Sequence, residues 1–151
     1  TLIELETLQT LVDDIGIHSI KDAVGDFEFS KKQLELLKDK ADIYSGNDNQ
    51  TYDFVINGGV GVVSVASHVI GDEISEMISF AKDNDLEKAE EINMQLSNLF
   101  EAIFEEPSPG PIKKILSESW EEVGEPLLPI TSITPELANK IRGFYKKIKE
   151  N

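Results

Sequence analysis

Three short apolar segments alternate with helical patterns in the first 65 residues, and this alternation constrains the fold more than any other feature. We predict strands near residues 15–20, 41–45 and 61–65, with a leucine-rich helix before the first and further helices between them. Strands that alternate with helices are joined by crossovers and are therefore parallel. Because residues 61–65 are almost wholly apolar, we predict that the third strand is buried on both faces.

Beyond residue 70 the pattern predicts helices alone, near residues 74–81, 86–103, 112–120 and 135–149. The first of them is predicted to begin near Asp72, and the third carries Trp120 on its apolar side. Thr134 before Pro135 is a typical helix start, and residues 121–133 are predicted to be irregular. We therefore divide the chain into a partial barrel segment, residues 1–70, and a closing barrel helix with a C-terminal helical extension, residues 71–151.

Three parallel strands cannot close a barrel, which needs eight strands and roughly 250 residues. The chain has 151 residues, and an open three-stranded sheet leaves two unpaired edges. We therefore predict an α/β fold that is the C-terminal portion of a TIM (β/α)8 barrel with a helical extension. Poorly covered valines at positions 62, 63 and 65 predict association into a homo-oligomer.

The charge balance restricts the partners of the chain. It has 29 acidic and 14 basic side chains and a formal net charge of -15. This excess of acidic groups argues against binding to nucleic acid or to an anionic membrane surface, which both require clustered lysine and arginine. No apolar stretch reaches the ~20 residues of a membrane helix, and we expect a cytoplasmic protein.

Lys21 is the candidate catalytic residue, because it ends the first apolar segment. Desolvation at the end of a buried strand would favour the neutral amine, which is a nucleophile toward carbonyl carbon. The commoner alternative is a lysine that extends to water or pairs with Asp22. We expect neither a cofactor nor a metal: the chain has no cysteine, and His18 and His68 lack carboxylates at ligand spacing.

Four segments resemble the pyruvate-dependent class I aldolases and lyases. Residues 17–23 (IHSIKDA) resemble the family's sixth strand, residues 44–48 (YSGND) the segment after strand seven, residues 58–65 (GGVGVVSV) strand eight, and residues 109–113 (PGPIK) the turn before a C-terminal helix. The resemblance implies strands six to eight of the barrel. It implies that Lys21 forms the Schiff base, that the backbone carbonyl of Val63 lies near bound pyruvate, and that Gly46 and Asn47 contact the second substrate.

Within this family the motifs are most similar to the branch that condenses pyruvate with aspartate semialdehyde in lysine and diaminopimelate biosynthesis. The alternatives are another pyruvate-dependent aldolase, such as an N-acetylneuraminate lyase or a keto-deoxy-sugar-acid aldolase, or a non-catalytic half-barrel. The family's catalytic tyrosine, threonine pair and strand-five arginine have no counterpart here. Leu127 also stands where an arginine is common, and His68 stands where an asparagine is common. We therefore expect the isolated chain to be inactive.

Overall fold

The computed structural model describes residues 2–150. Helices and strands alternate in the first part of these residues, as predicted, and helices alone follow. The first part contains α1 (Leu5–Asp13), β1 (Ser19–Asp22), α2 (Phe27–Leu36), β2 (Asp42–Ser45), a 3-10 turn (Asp48–Gln50), α3 (Thr51–Ile56) and β3 (Gly61–Val62). The helices that follow are α4 (Ser67–Lys82), α5 (Leu86–Ala102), α6 (Gly110–Ser119) and α7 (Pro135–Lys149). None of these helices is both long and apolar enough to span a bilayer.

The three strands form a parallel sheet in the order β1-β2-β3, which confirms the predicted pairing. In the register, Lys21 lies beside Tyr44, and Tyr44 lies beside Gly61. Since neighbours in register point to the same side of a sheet, these three residues share one face. The next register position, with Asp22 beside Ser45, lies on the opposite face.

The two faces of the sheet differ in cover. Ile20 and Ile43 lie on one face and belong to an apolar cluster with side chains of α1, α2 and α3, among them Leu8, Leu34 and Phe54. On the other face of β1 and β2, Ser19, Lys21 and Asp42 are exposed. The helices therefore bury only one side of β1 and β2.

The first strand begins later than predicted. Residues 15–18 do not belong to β1, and Ile15 is 66 % exposed. The reason is Gly16, whose φ of +82° turns the chain after α1. This turn lets the Ile17 amide donate to the Leu11 carbonyl over 3.0 Å. The predicted buried run thus starts with a turn, and Lys21 lies inside the short strand rather than after it.

The third strand is shorter and less buried than predicted. It comprises only Gly61–Val62, and Val63 is 48 % exposed. The prediction of burial on both faces is therefore wrong for Val63. The apolar composition of residues 61–65 marks a strand of the interior, but the described chain covers only one side of it.

The chain divides into two compact units. One contains the residues up to Ser64 together with Ile78–Leu86, and the other contains Val65–Met77 and the residues from Glu87 onward. The division predicted at residue 70 stays a prediction.

In the second unit, α6 packs on α7, and ion pairs join Glu118 to Arg142 and Glu105 to Lys140. Thr134 caps α7 as predicted, with its hydroxyl accepting from the Leu137 amide. Trp120 is an error of the sequence prediction, because it follows α6 and is 72 % exposed. Helix α4 also starts before the predicted Asp72, at Ser67, and Ile70 interrupts it with a non-helical backbone conformation.

Candidate functional site

The carboxyl ends of the three parallel strands lie at one edge of the sheet. There β1 ends at Asp22, β2 at Ser45 and β3 at Val62. The four residues predicted to bind substrates lie on these strands or in the segments that follow them. In parallel α/β barrels this edge carries the active site.

Gly46 and Lys21 are in close contact across β1 and β2. A Cβ atom on Gly46 would lie 2.8 Å from Lys21 Cε, 2.7 Å from Ala23 Cβ and 2.9 Å from the Asp22 carbonyl oxygen. The Gly46 amide donates to that same carbonyl over 2.5 Å. Only a glycine therefore fits between the end of β2 and the Lys21 side chain.

Lys21 is exposed, in contrast to the burial that the sequence argument assumed. Among residues 2–150 its ammonium has no hydrogen-bond or ion-pair partner. Asp22 is not that partner, because consecutive strand residues point to opposite faces. Lys21 thus extends from the uncovered face of the sheet with its amine accessible.

Asp22 has a structural role that the sequence argument missed. It is buried, and its carboxylate accepts the Ser30 hydroxyl of α2 over 2.7 Å and the Val24 amide over 2.8 Å. These bonds fix the turn that follows Lys21 and attach it to α2. The signal in the sequence was an acidic residue close after an apolar segment. A carboxylate that is buried at such a place requires hydrogen-bond donors.

The segment after β2 forms a compact polar network. Ser45 Oγ donates to the Asn47 carbonyl over 2.8 Å, and the Asn47 side chain donates to Gln50 Oε1 over 3.0 Å. Gln50 in turn donates to the Gly25 carbonyl over 3.1 Å, in the segment after β1. Asn47 is therefore held half-buried beside Gly46, and the segments after β1 and β2 are joined.

Val63 is held beside the end of β2. Its amide donates to the Ser45 carbonyl over 2.8 Å. The next residue, Ser64, donates its hydroxyl to the buried carboxylate of Asp48. Sequence reasoning missed Asp48 and Ser64, although each is a polar residue within or directly after a strand-end motif.

Two carboxyl groups on the helices have shifted pKa values. Burial raises the pKa of Asp53 in α3, and the charge of Lys31 opposes this effect. In the second unit, hydrogen bonds from Arg142 lower the pKa of Glu118 to about 2. Within residues 2–150 no three His, Asp or Glu side chains converge as a metal site would require.

The fold and the strand-end site define a segment of an α/β barrel with an accessible lysine at its carboxyl end. A model of the dihydrodipicolinate synthetase family matches residues 1–148. The chain therefore belongs to the dihydrodipicolinate synthetase family.

Curated relatives and a solved structure agree with this assignment. A 4-hydroxy-tetrahydrodipicolinate synthase of Thermosynechococcus vestitus is 39% identical over 137 residues, which are 91% of this chain and 46% of the relative. The enzyme of the same name from Listeria monocytogenes is 32% identical over 148 residues, 98% of this chain and 50% of the relative. A crystal structure of dihydrodipicolinate synthase from Bacillus anthracis is 33% identical with a TM-score of 0.89, and the match covers 97% of this chain and 50% of that one.

The chain thus spans about half the length of the relatives it matches. The solved relatives are TIM-barrel enzymes, and the three parallel strands with their helices correspond to a portion of such a barrel. This confirms the predicted fold class.

Proposed function

We propose that this chain is the C-terminal half of a 4-hydroxy-tetrahydrodipicolinate synthase, a lyase that condenses pyruvate with aspartate semialdehyde in lysine and diaminopimelate biosynthesis. The observation that carries the proposal is the contact between Lys21 and Gly46 at the carboxyl end of the sheet. It places an accessible amine at the edge where barrel enzymes bind their substrates. The names of the relatives support the choice of reaction.

Lys21 is the nucleophile of the proposed reaction. Its neutral amine attacks the ketone carbon of pyruvate, a C–N bond forms, and the ketone oxygen takes up a proton to give a carbinolamine. Loss of water yields the imine, which is protonated. The iminium draws electrons from the methyl carbon, so that loss of a proton gives an enamine, and the enamine carbon attacks the aldehyde carbon of the second substrate.

The other strand-end residues form the surroundings of this amine. Gly46 leaves room for the Lys21 side chain, and Asn47 beside it contacts the aldehyde substrate. The backbone carbonyl of Val63 lies near the pyruvate adduct. The hydrogen bonds of Asn47 to Gln50 and of Val63 to Ser45 support these roles, because both residues are fixed in place.

The complete enzyme needs groups beyond the described residues. Proton transfer by a positioned acid or base accelerates such steps by typically ~10²–10⁴-fold. Among residues 2–150, no acid or base forms a hydrogen bond or an ion pair with the Lys21 amine. We propose that residues 1–70 contribute a partial barrel segment and that residues 71–151 contribute the closing barrel helix and the C-terminal helical extension. The complete enzyme is then a cytoplasmic homo-oligomer with two small-molecule substrates and no cofactor.

Borohydride trapping with pyruvate tests the assignment of Lys21. Reduction of the imine leaves a stable secondary amine, which peptide mass analysis assigns to one residue. We expect the adduct on Lys21. Lys21→Arg keeps the positive charge and removes the usable amine, so that it abolishes the adduct.

Lys38→Arg is the matched control, because Lys38 is also an exposed lysine of the sheet unit. This variant should be trapped as fast as the parent chain. An adduct that persists in Lys21→Arg, or that maps to Lys113, would refute the assignment.

A further inference from the structure

The peptide unit between Val63 and Ser64 is anchored on both sides. On one side the Val63 amide donates to the Ser45 carbonyl over 2.8 Å. On the other side the Ser64 hydroxyl donates to the Asp48 carboxylate. The Val63 carbonyl lies in the peptide plane between these two anchors, so together they limit how far that plane can rotate and hence the direction of the carbonyl.

Asp48 is an unusual residue to find at this place. It is only 2 % exposed, although it is an acidic side chain at the end of a strand segment. Burial of a carboxylate is costly unless it is hydrogen-bonded. Its bond to Ser64 crosses from the segment after β2 to the segment after β3, and therefore links the two edges of the proposed site.

A backbone carbonyl can only accept hydrogen bonds. Pyruvate offers no donor, because its ketone and its carboxylate are both acceptors. The carbinolamine carries an O–H group and the protonated imine carries an N–H group. A carbonyl beside the adduct therefore stabilises these two species more than it stabilises free pyruvate. Such a difference accelerates formation of the imine.

We propose that Asp48 and Ser64 are a pair of positioning residues that aim the Val63 carbonyl at the adduct on Lys21. This inference rests on the proposed function, since it requires the imine to form on Lys21. Neither side chain has to touch the substrate. Both act through the peptide unit that Ser64 shares with Val63.

Ser64→Ala tests the pair on the full 151-residue chain. Two rates at Lys21 are measured by site-resolved mass analysis: borohydride trapping with pyruvate, and acylation by acetic anhydride. Acylation reports the accessibility and nucleophilicity of the amine and passes through no carbinolamine. We expect trapping to fall about threefold to tenfold, as for loss of one hydrogen bond, while acylation stays unchanged.

Further variants separate positioning from stability. Ser64→Thr keeps the hydroxyl and should restore trapping, and Asp48→Asn keeps an oxygen acceptor and should retain more trapping than Ser64→Ala. Ser75→Ala removes an exposed hydroxyl that donates to the Gly71 carbonyl within α4, and it is the matched control.

The possible outcomes are distinct. Equal falls in the rates of trapping and acylation in Ser64→Ala would show that the hydroxyl has a merely structural role, and would overturn the inference. An unchanged trapping rate in Ser64→Ala would also overturn it. If the parent chain forms no adduct on Lys21 at all, the proposed function fails, and the inference fails with it.

Discussion

Replacement of Gly46 by alanine tests the contact on which the candidate site depends. The new Cβ would lie 2.7 Å from Ala23 Cβ and 2.9 Å from the Asp22 carbonyl oxygen. Lys21 Cε, at 2.8 Å, can move because it is the far part of a flexible side chain. The other two atoms belong to the backbone or are fixed to it, so β1 and β2 must separate at their ends.

This separation sets the expected magnitude. It lengthens the hydrogen bond from the Gly46 amide to the Asp22 carbonyl, now 2.5 Å. Inserting a methyl group into a filled space costs typically 1–3 kcal/mol, so we expect a loss of roughly 2 kcal/mol in the free energy of unfolding. For a chain of this length that corresponds to a fall in Tm of about 4–8 °C.

The assay combines thermal unfolding, followed by circular dichroism, with borohydride trapping of pyruvate. Because Lys21 is pushed from its place, trapping by Gly46→Ala should fall at least about tenfold. Gly143→Ala in α7 is the matched control. Among residues 2–150, nothing lies within 4 Å of its added Cβ. Alanine also favours a helix by up to about 1 kcal/mol over glycine. A Gly46→Ala chain that unfolds and is trapped like the parent chain would refute the steric argument.

Two further predictions concern pH and turnover. Because the pKa of Glu118 is lowered to about 2 in the folded chain, its bond to Arg142 stabilises the fold fully above the ordinary value of 4.5. This contribution is lost as pH falls through about 2. Because the pair is largely exposed, the free energy of unfolding of the parent chain at pH 7 should exceed that of Glu118→Gln by under about 1 kcal/mol. This difference should vanish in acid. The isolated chain should turn over pyruvate and aspartate semialdehyde slowly in a coupled assay. An added N-terminal half of the barrel should raise that rate. Fast turnover by the isolated chain would contradict the proposal that the reaction needs acid or base groups beyond the described residues.

The sequence predicted those helix ends that are fixed by residues close by along the chain. Helix α3 lies between β2 and β3 as predicted, buries Phe54 and Val55, and ends before Gly58, which has a φ of +99°. Thr134 caps α7 through its own hydroxyl. In each case the deciding interaction lies within a few residues along the chain, so the sequence contains it.

Elements whose environment depends on distant parts of the chain were predicted less well. Residues 15–20 and 61–65 are apolar enough for buried strands, but burial requires a second covering layer that no local pattern reveals. Trp120 shows the same failure at a helix end, because an apolar residue on the right spacing still lies outside α6.

The roles that the resemblance gives to Lys21, Gly46, Asn47 and Val63 stay predictions. The structure brings Lys21 and Gly46 close together, but the sequence did not predict the hydrogen bonds that support these residues. The buried carboxylates of Asp22 and Asp48, however, bond to serines 8 and 16 residues away. Such pairs depend on the register of strands and loops in space, which the spacing of residues along one chain does not determine.

One face of the sheet contributes to the stability of the fold, and the other carries the residue that we propose is reactive. Ile20 and Ile43 face the helices and contribute to the apolar core, so this side folds from contacts within the described residues. Lys21 lies on the other side and is exposed to solvent. A surface that covers this second face would remove water from the amine and bring the proton-transfer groups that the proposed reaction requires. Full turnover at Lys21 therefore depends on that cover, whereas the fold around Lys21 and slow formation of the pyruvate imine do not.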